Sequence, residues 1–264
     1  MAHQLYDHVY GQYANPAESA VRRETYGEDI GQSSWTTAAE WLHFADLLQL
    51  GEGNAVLEVG SGSGGPAVYL AEMRHCHVTG VDINQHGIRN ARSLAAARQL
   101  AHRLRFETVD ASQPLPFADA SFDAVISNDA MCHIRDRLSV LRDWKRVLRP
   151  GGRIVFSDAM VVTGQLTNEE LARRTSIGTY VIVPPGENER LIAAAGFTLL
   201  DTEDVTAAAG TIGERWLTAR GRHRDALIAH EGEENFVGLQ RFLETVHLLS
   251  VERRLSRFAY LARA

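Results

Sequence analysis

Lysine is almost missing from this chain: of 27 basic residues, Lys145 alone is a lysine and the others are arginine. Schiff-base catalysis needs a lysine amine whose pKa can be lowered by burial, and a single candidate leaves little room for it. Cysteine is scarce too. Cys76 and Cys132 are too few for a disulfide framework, or for the thiol cluster that arsenite methylation needs. No apolar run approaches the roughly 18 residues of a membrane-spanning helix, and the opening stretch MAHQLYDHVYGQYANP has no apolar leader core. Runs of about five or six basic residues are missing as well. With a net charge of −6, neither nucleic acid nor a membrane surface is an expected partner. A small molecule in a reduced, cytoplasmic setting is the expectation, with oligomeric state left open.

What is present is an ordinary globular balance: 264 residues, 45% hydrophobic and 23% charged, enough chain for a full core. From residue 55 buried-strand runs alternate with helical ones. AVLEVG (55–60), CHVTGVD (76–82), LRFETVD (104–110), FDAVIS (122–127) and RIVFSDAMVV (153–162) read as strands. PAVYLAEM (66–73), NQHGIRNARSLAAARQL (84–100) and RLSVLRDWKRVL (137–148) read as helices, with Pro66 at a permitted first-turn position. This rhythm predicts right-handed crossovers and a doubly wound parallel sheet of the α/β class. Ahead of it, residues 36–50 have a helical period behind a threonine N-cap. Beyond residue 163 the rhythm loosens into a helix over 187–197 closed by Gly196, a mostly helical stretch over 209–252, and a final strand over 254–264. One domain is expected: N-terminal lid helices over 1–50, a cofactor-binding core over 51–162, substrate-pocket insertions over 163–252 and the last strand over 253–264.

The stretch VLEVGSGSGG (56–65) runs a strand into a glycine loop and then a helix. Glycines let backbone approach a ligand closely, and a helix N-terminus favours negative charge. Gly60, Gly62 and Gly65 satisfy the dinucleotide pattern G-x-G-x-x-G. Gly60, Gly62 and Gly64 equally satisfy the acid-x-G-x-G-x-G pattern of S-adenosylmethionine enzymes, so the glycines alone leave both open. Asp82, closing the next strand, suits a ribose in either case. Glu58 separates them: two residues before the first glycine, its carboxylate would repel a pyrophosphate and attract a cationic amino-acid cofactor. Asp110 ends the third strand, where it could accept from an adenine amino group. No tyrosine is followed by a lysine four residues on, which removes the pair used in short-chain hydride transfer.

Taken in order, VLEVGSGSGG, VTGVDIN, FETVDA, FDAVISNDAMCHI and LRDWKRVLRPGGRIVFSD resemble the successive motifs of class I S-adenosylmethionine-dependent methyltransferases, over residues 55–160. Within that superfamily, YGEDIGQSS (26–34) and NDAMCHI (128–134) look most like the sarcosine/dimethylglycine and phosphoethanolamine N-methyltransferases. The resemblance implies a Rossmann-like sheet of seven strands, the last antiparallel, with N-terminal helices and a helical lid insertion. It also implies cofactor contacts from Glu58, Gly60, Ser61, Gly62 and Gly64, with Asp82 on the ribose and Ile83 packed on the adenine. Asp110 and Ala111 would hold the adenine edge, and Gln32 and Asn128 would lie beside the cofactor. The donor would be S-adenosylmethionine and the product S-adenosylhomocysteine, with no metal.

Methyl transfer from a sulfonium is an in-line displacement, so alignment supplies much of the rate. The attacking amine or hydroxyl must be unprotonated, and histidine is the natural base near neutral pH. His133 is the expected base or substrate orienter, and Asp129, four residues earlier, would share a helical face with it. The resemblance implies Tyr13, from the lid, as the tyrosine that pairs with His133. Trp35 and Tyr180, with Trp216, are candidates for an aromatic wall around the acceptor. The expected reaction is N-methylation of a small amine or amino-acid-like substrate. O- or C-methylation of a specialised metabolite and, more remotely, nicotinamide-dependent oxidation stay open. Ala159 stands after FSD where the phosphobase enzymes have a tyrosine, which speaks against a phosphate-bearing acceptor.

Overall fold

The apolar runs from residue 55 onward become parallel strands: β1 (Ala55–Val59), β2 (His77–Asp82), β3 (Leu104–Thr108), β4 (Phe122–Ser127) and β5 (Leu148–Val162). They belong to a computed structural model that describes Tyr10, Gly11, Tyr13 and residues 15–264. β6 (Thr198–Asp204) and β7 (Leu255–Arg263) complete a sheet of order β3-β2-β1-β4-β5-β7-β6, with β7 antiparallel to both of its neighbours. The expected seven strands and antiparallel last strand are therefore present. The strand order reverses between β1 and β4, and an open parallel sheet binds ligands in the crevice at such a point, outside the carboxyl ends of its strands.

Helices cover both faces. On one side α2 (Ala38–Leu47), α3 (Gly65–Arg74) and α4 (Gln85–Ala97) bury Trp41, Phe44, Leu70 and Ile88 against β1 and β2. On the other α5 (Arg137–Val147) and α7 (Glu187–Ala194) bury Trp144, Val147 and Ile192 against Leu57, Val125 and Phe156. α1 (Pro16–Tyr26) begins at an Asn15 cap whose side chain accepts from the Ala17 N–H, and Thr37 caps α2 in the same way through the Glu40 N–H. α6 (Asn168–Arg174), α8 (Thr206–Arg222), α9 (Arg224–Glu231) and α10 (Glu233–Val251) build the helical layer, in which Trp35 and Ala159 pack with Ile212, Phe242 and Val246.

Two elements differ from the sequence expectation. β6 reads TLLDTED, carries no alternation and exposes most of its residues, because it is an edge strand paired only with β7. β5 begins at Leu148, ahead of the strand expected over 153–162, and so includes the RPGG stretch. The segment expected to hold only pocket insertions, 163–252, thus also contributes β6 to the sheet and α7 to its cover.

Candidate active site

Glu58 is the one acid in the otherwise apolar β1, with Gly80 of β2 on one side and Ile126 of β4 on the other. Its carboxyl group is buried and Oε2 has no hydrogen-bond partner. Burial, reinforced by the charge of Asp82, pushes its pKa up to about 8. Ser61 Oγ, in the loop above, is likewise buried without a partner. Buried polar atoms are almost always satisfied, so this corner has acceptor capacity that the protein itself does not use. Asp82 also sits raised, through burial, although Oδ2 accepts from the Gly62 N–H at 2.9 Å and Oδ1 from the Asn84 N–H at 2.8 Å. Two desolvated carboxyl groups suit a cation and repel a pyrophosphate, which is the choice that the glycine pattern left open.

The loop needs its glycines for close approach. Gly60, Gly62 and Gly64 all have positive φ, at 82°, 51° and 78°. A Cβ on Gly60 would reach within 2.6 Å of Ala130 Cβ, and one on Gly62 within 2.8 Å of the Tyr10 hydroxyl. Ile83, at the β2 end, is 46% exposed, an apolar face left open where an adenine is expected. Asp110 is exposed and caps its own turn by accepting from Ser112 N–H at 3.0 Å, with Ala111 half-buried beside it. Among these residues the cradle fits a cationic nucleoside cofactor: unused buried acceptors at one end and an open apolar ledge at the other.

At the β4 end the expected neighbours separate. Asp129 adopts a left-handed backbone, φ 54°, a conformation that aspartate tolerates better than most residues. The turn that follows is a single 3₁₀ turn, Met131–His133, so Asp129 and His133 do not share a helical face as expected. Asp129 turns instead to Arg257 of β7, whose Nε donates to Oδ1 at 2.9 Å, and to Ser157. His133 is half-buried; its Nδ1 lies 2.8 Å from the Thr179 carbonyl and its ring 4.7 Å from the Tyr180 ring. A carbonyl can only accept, so neutral His133 carries its proton on Nδ1 and leaves Nε2 as the basic nitrogen. Burial is the largest of the influences that lower its pKa, and His133 in turn acts on the charge of Asp82. Near neutral pH it is therefore a neutral imidazole, seated between the Thr179 carbonyl and the Tyr180 ring.

Several other expected contacts take different partners. The Tyr13 hydroxyl packs against Gly31, and its ring carries the Arg22 guanidinium at 4.3 Å; His133 is not among its partners. Gln32 folds its amide back on the Ile30 N–H and the Glu28 carbonyl, closing the 28–32 turn. Asn128 is drawn into the Arg257 cluster: its Oδ1 accepts from Thr36, Ser157 and Arg257, and its amide donates to Ser34. Trp35 and Tyr180 lie along one row of packed side chains, with Trp35 buried in it. Trp35 lies 6.0 Å from Trp216 and 6.2 Å from Phe242, and the row continues through Arg174 to Tyr180 and His133.

Sequence reasoning missed two contributors. Tyr10 is buried over Gly62 and Gly87, and burial lifts its hydroxyl far above the usual range. Arg257 is 1% exposed and ties together Glu40, Thr36, Asn128, Asp129 and Ser157. Cys132, beside His133 in the sequence, is buried with Sγ on the Asp129 carbonyl, and its thiol is pushed well up by burial.

A sheet of this order, with acids closing β1 and β2 around a glycine loop, defines a class, and comparison with known proteins agrees: the methyltransferase domain family matches residues 57–156. The chain belongs to the S-adenosylmethionine-dependent methyltransferases. It is 31% identical over 195 residues to 27-O-demethylrifamycin SV methyltransferase of Amycolatopsis mediterranei, covering 69% of this chain and 71% of that one. It is also 31% identical to phosphoethanolamine N-methyltransferase of Triticum aestivum, over 73% of this chain and 37% of that protein. Among solved structures, Haemonchus contortus phosphoethanolamine N-methyltransferase 2, bound to phosphomonomethylethanolamine and S-adenosylhomocysteine, superposes on all of this chain and 60% of that one. The TM-score is 0.82 at 20% identity, a likeness of fold.

Proposed function

We propose that this enzyme methylates a hydroxyl group on a largely apolar small molecule, with His133 taking the hydroxyl proton. The observation that carries the reading is the fate of the acids around the acceptor. Asp129 and Glu40 are both engaged by Arg257, and Asp158 by Arg137, so none of these three acids of the described residues is left to hold an ammonium beside His133. The wall is aromatic and aliphatic, from Trp35, Trp216, Phe242 and Ile177, and the charged group that it contains is the cation Arg174. A protonated amine would meet that cation unshielded. A neutral hydroxyl would not.

Bound S-adenosylmethionine supplies a methyl group activated on a positive sulfonium. Glu58 would hold the cofactor's ammonium, and Asp82, which already accepts from the Gly62 N–H, its ribose hydroxyls. His133 Nε2 would accept the hydroxyl proton, becoming imidazolium, as the hydroxyl oxygen takes the methyl group from the donor. Proton transfer of this kind contributes about 10²–10⁴-fold to a rate.

Amine methylation, the expectation from the sequence, is the second reading. It is supported by the phosphoethanolamine relatives and by aromatic faces at Trp35 and Tyr180 that suit a cation. Methyl-labelled S-adenosylmethionine offered with paired hydroxy and amino compounds of the same skeleton separates the two. O-methyl products support the proposal, and N-methyl products alone overturn it.

A further inference from the structure

Arg174 stands apart from every other buried arginine of the described residues. Four arginines are buried: Arg137, Arg174, Arg220 and Arg257. Arg137 is paired with Asp158, Arg220 with Glu231 and Arg257 with Asp129. Arg174, at the end of α6 and 3% exposed, has no carboxylate partner, and its Nη1 makes no hydrogen bond. What it has instead is aromatic. Its guanidinium carbon lies 5.1 Å from the Tyr180 ring centre and 5.2 Å from that of Phe242. Stacking on rings occupies the faces of a guanidinium and leaves its edge, with the N–H fork, unused.

A buried charge without a partner costs several kcal/mol or more, and proteins retain one where something compensates it. Among the described residues no ion pair compensates it: Asp158 serves Arg137, and Asp129 and Glu40 serve Arg257. The position is also informative: Tyr180 contacts both Arg174 and His133, so the unused fork lies one ring away from the expected base. We infer that Arg174 is a substrate-binding residue that takes a carboxylate of the methyl acceptor, bidentate through the guanidinium edge, and so orients the acceptor with its nucleophile toward His133. Planar carboxylate matches the fork geometry, and the two rings keep the fork fixed before the acceptor arrives. This deepens the hydroxyl reading by naming the acceptor class, an apolar skeleton bearing a carboxylate.

The test titrates the full chain, with and without saturating S-adenosylhomocysteine, with benzoate, cinnamate and hexanoate, each beside its neutral primary amide. At least one carboxylate is expected to bind about tenfold or more tightly than its amide, and Arg174→Met to abolish that preference while leaving S-adenosylhomocysteine affinity unchanged. Equal binding of acid and amide, no carboxylate binding at all, or an undiminished preference in Arg174→Met overturns the inference. Thermal unfolding of the ligand-free proteins gives an independent readout: Arg174→Met is expected to be at least as stable as wild type, because it removes an uncompensated charge. A clearly lower midpoint would show a structural guanidinium and overturn it too. A carboxylate acceptor methylated on nitrogen would sink the hydroxyl reading and leave the role of Arg174 standing.

Discussion

Glu58 carries the electrostatic logic of the cofactor site. Burial raises its pKa from the ordinary 4.5 to about 8, so at neutral pH the ligand-free carboxyl group mostly holds a proton. A cofactor ammonium, with a pKa of about 8 itself, binds the ionised form and must displace that proton. Calorimetry of S-adenosylhomocysteine at pH 7, in buffers of different ionisation enthalpy, should therefore show close to one proton released. Glu58→Gln should release none and bind about ten- to a hundredfold more weakly, the loss of a charged hydrogen bond. The same shift has a consequence for folding. A raised acid gives stability that is complete below about pH 4.5 and is lost as pH rises to about 8. The ligand-free protein should become easier to denature as pH rises over that window, and Glu58→Gln should flatten that dependence. Glu58 was legible in the sequence because an acid inside AVLEV has no reason to be there except a ligand. Arg174 and Arg257 were not, since a chain whose cations are nearly all arginine gives no mark to the few that are buried.

At the scale of elements, the carboxyl edge of the sheet is fastened by the Arg257 cluster. One guanidinium on β7 holds Glu40 of α2 at 2.6 Å and Asp129 after β4 at 2.9 Å, and also reaches Thr36 and Ser157. Removing it would leave two buried acids without their cation. Arg257→Met should cost about 3–5 kcal/mol in urea denaturation, with part recovered by adding Asp129→Asn. A full cost in both variants would mean that the arginine matters by packing alone. The strands that this cluster joins were readable because buried parallel strands are continuous apolar runs. β6 was not, because an edge strand with Asp201, Glu203 and Asp204 looks like a loop until β7 pairs with it. Asp129 does not share a helical face with His133 for a related reason: spacing along the chain says nothing of a left-handed residue that redirects the turn.

Residues far apart in the chain pack against the glycine loop: Tyr10 covers Gly62, and the Ile30 carbonyl sits directly over Gly65. Among the described residues no helix is long and apolar enough to cross a membrane. A methyl group on Gly65 would drive into the Ile30 carbonyl. Gly65→Ala should weaken S-adenosylhomocysteine binding by about 1–3 kcal/mol, the cost of overpacking. It should also speed proteolysis within residues 15–34, and unchanged cleavage would show that the cover is not seated on the loop.

These parts converge on His133, held neutral by burial with its proton on Nδ1 toward Thr179. The most direct measurement is the single-turnover rate of methyl transfer to a hydroxy acceptor, across pH, for wild type and His133→Gln. The wild-type rate should rise with pH through a value below 6.5 and then level off. His133→Gln should be slower by about 10²–10⁴-fold, without that limb and with unchanged S-adenosylhomocysteine affinity. A variant that keeps the wild-type rate and pH profile would contradict the assignment of His133 as the base.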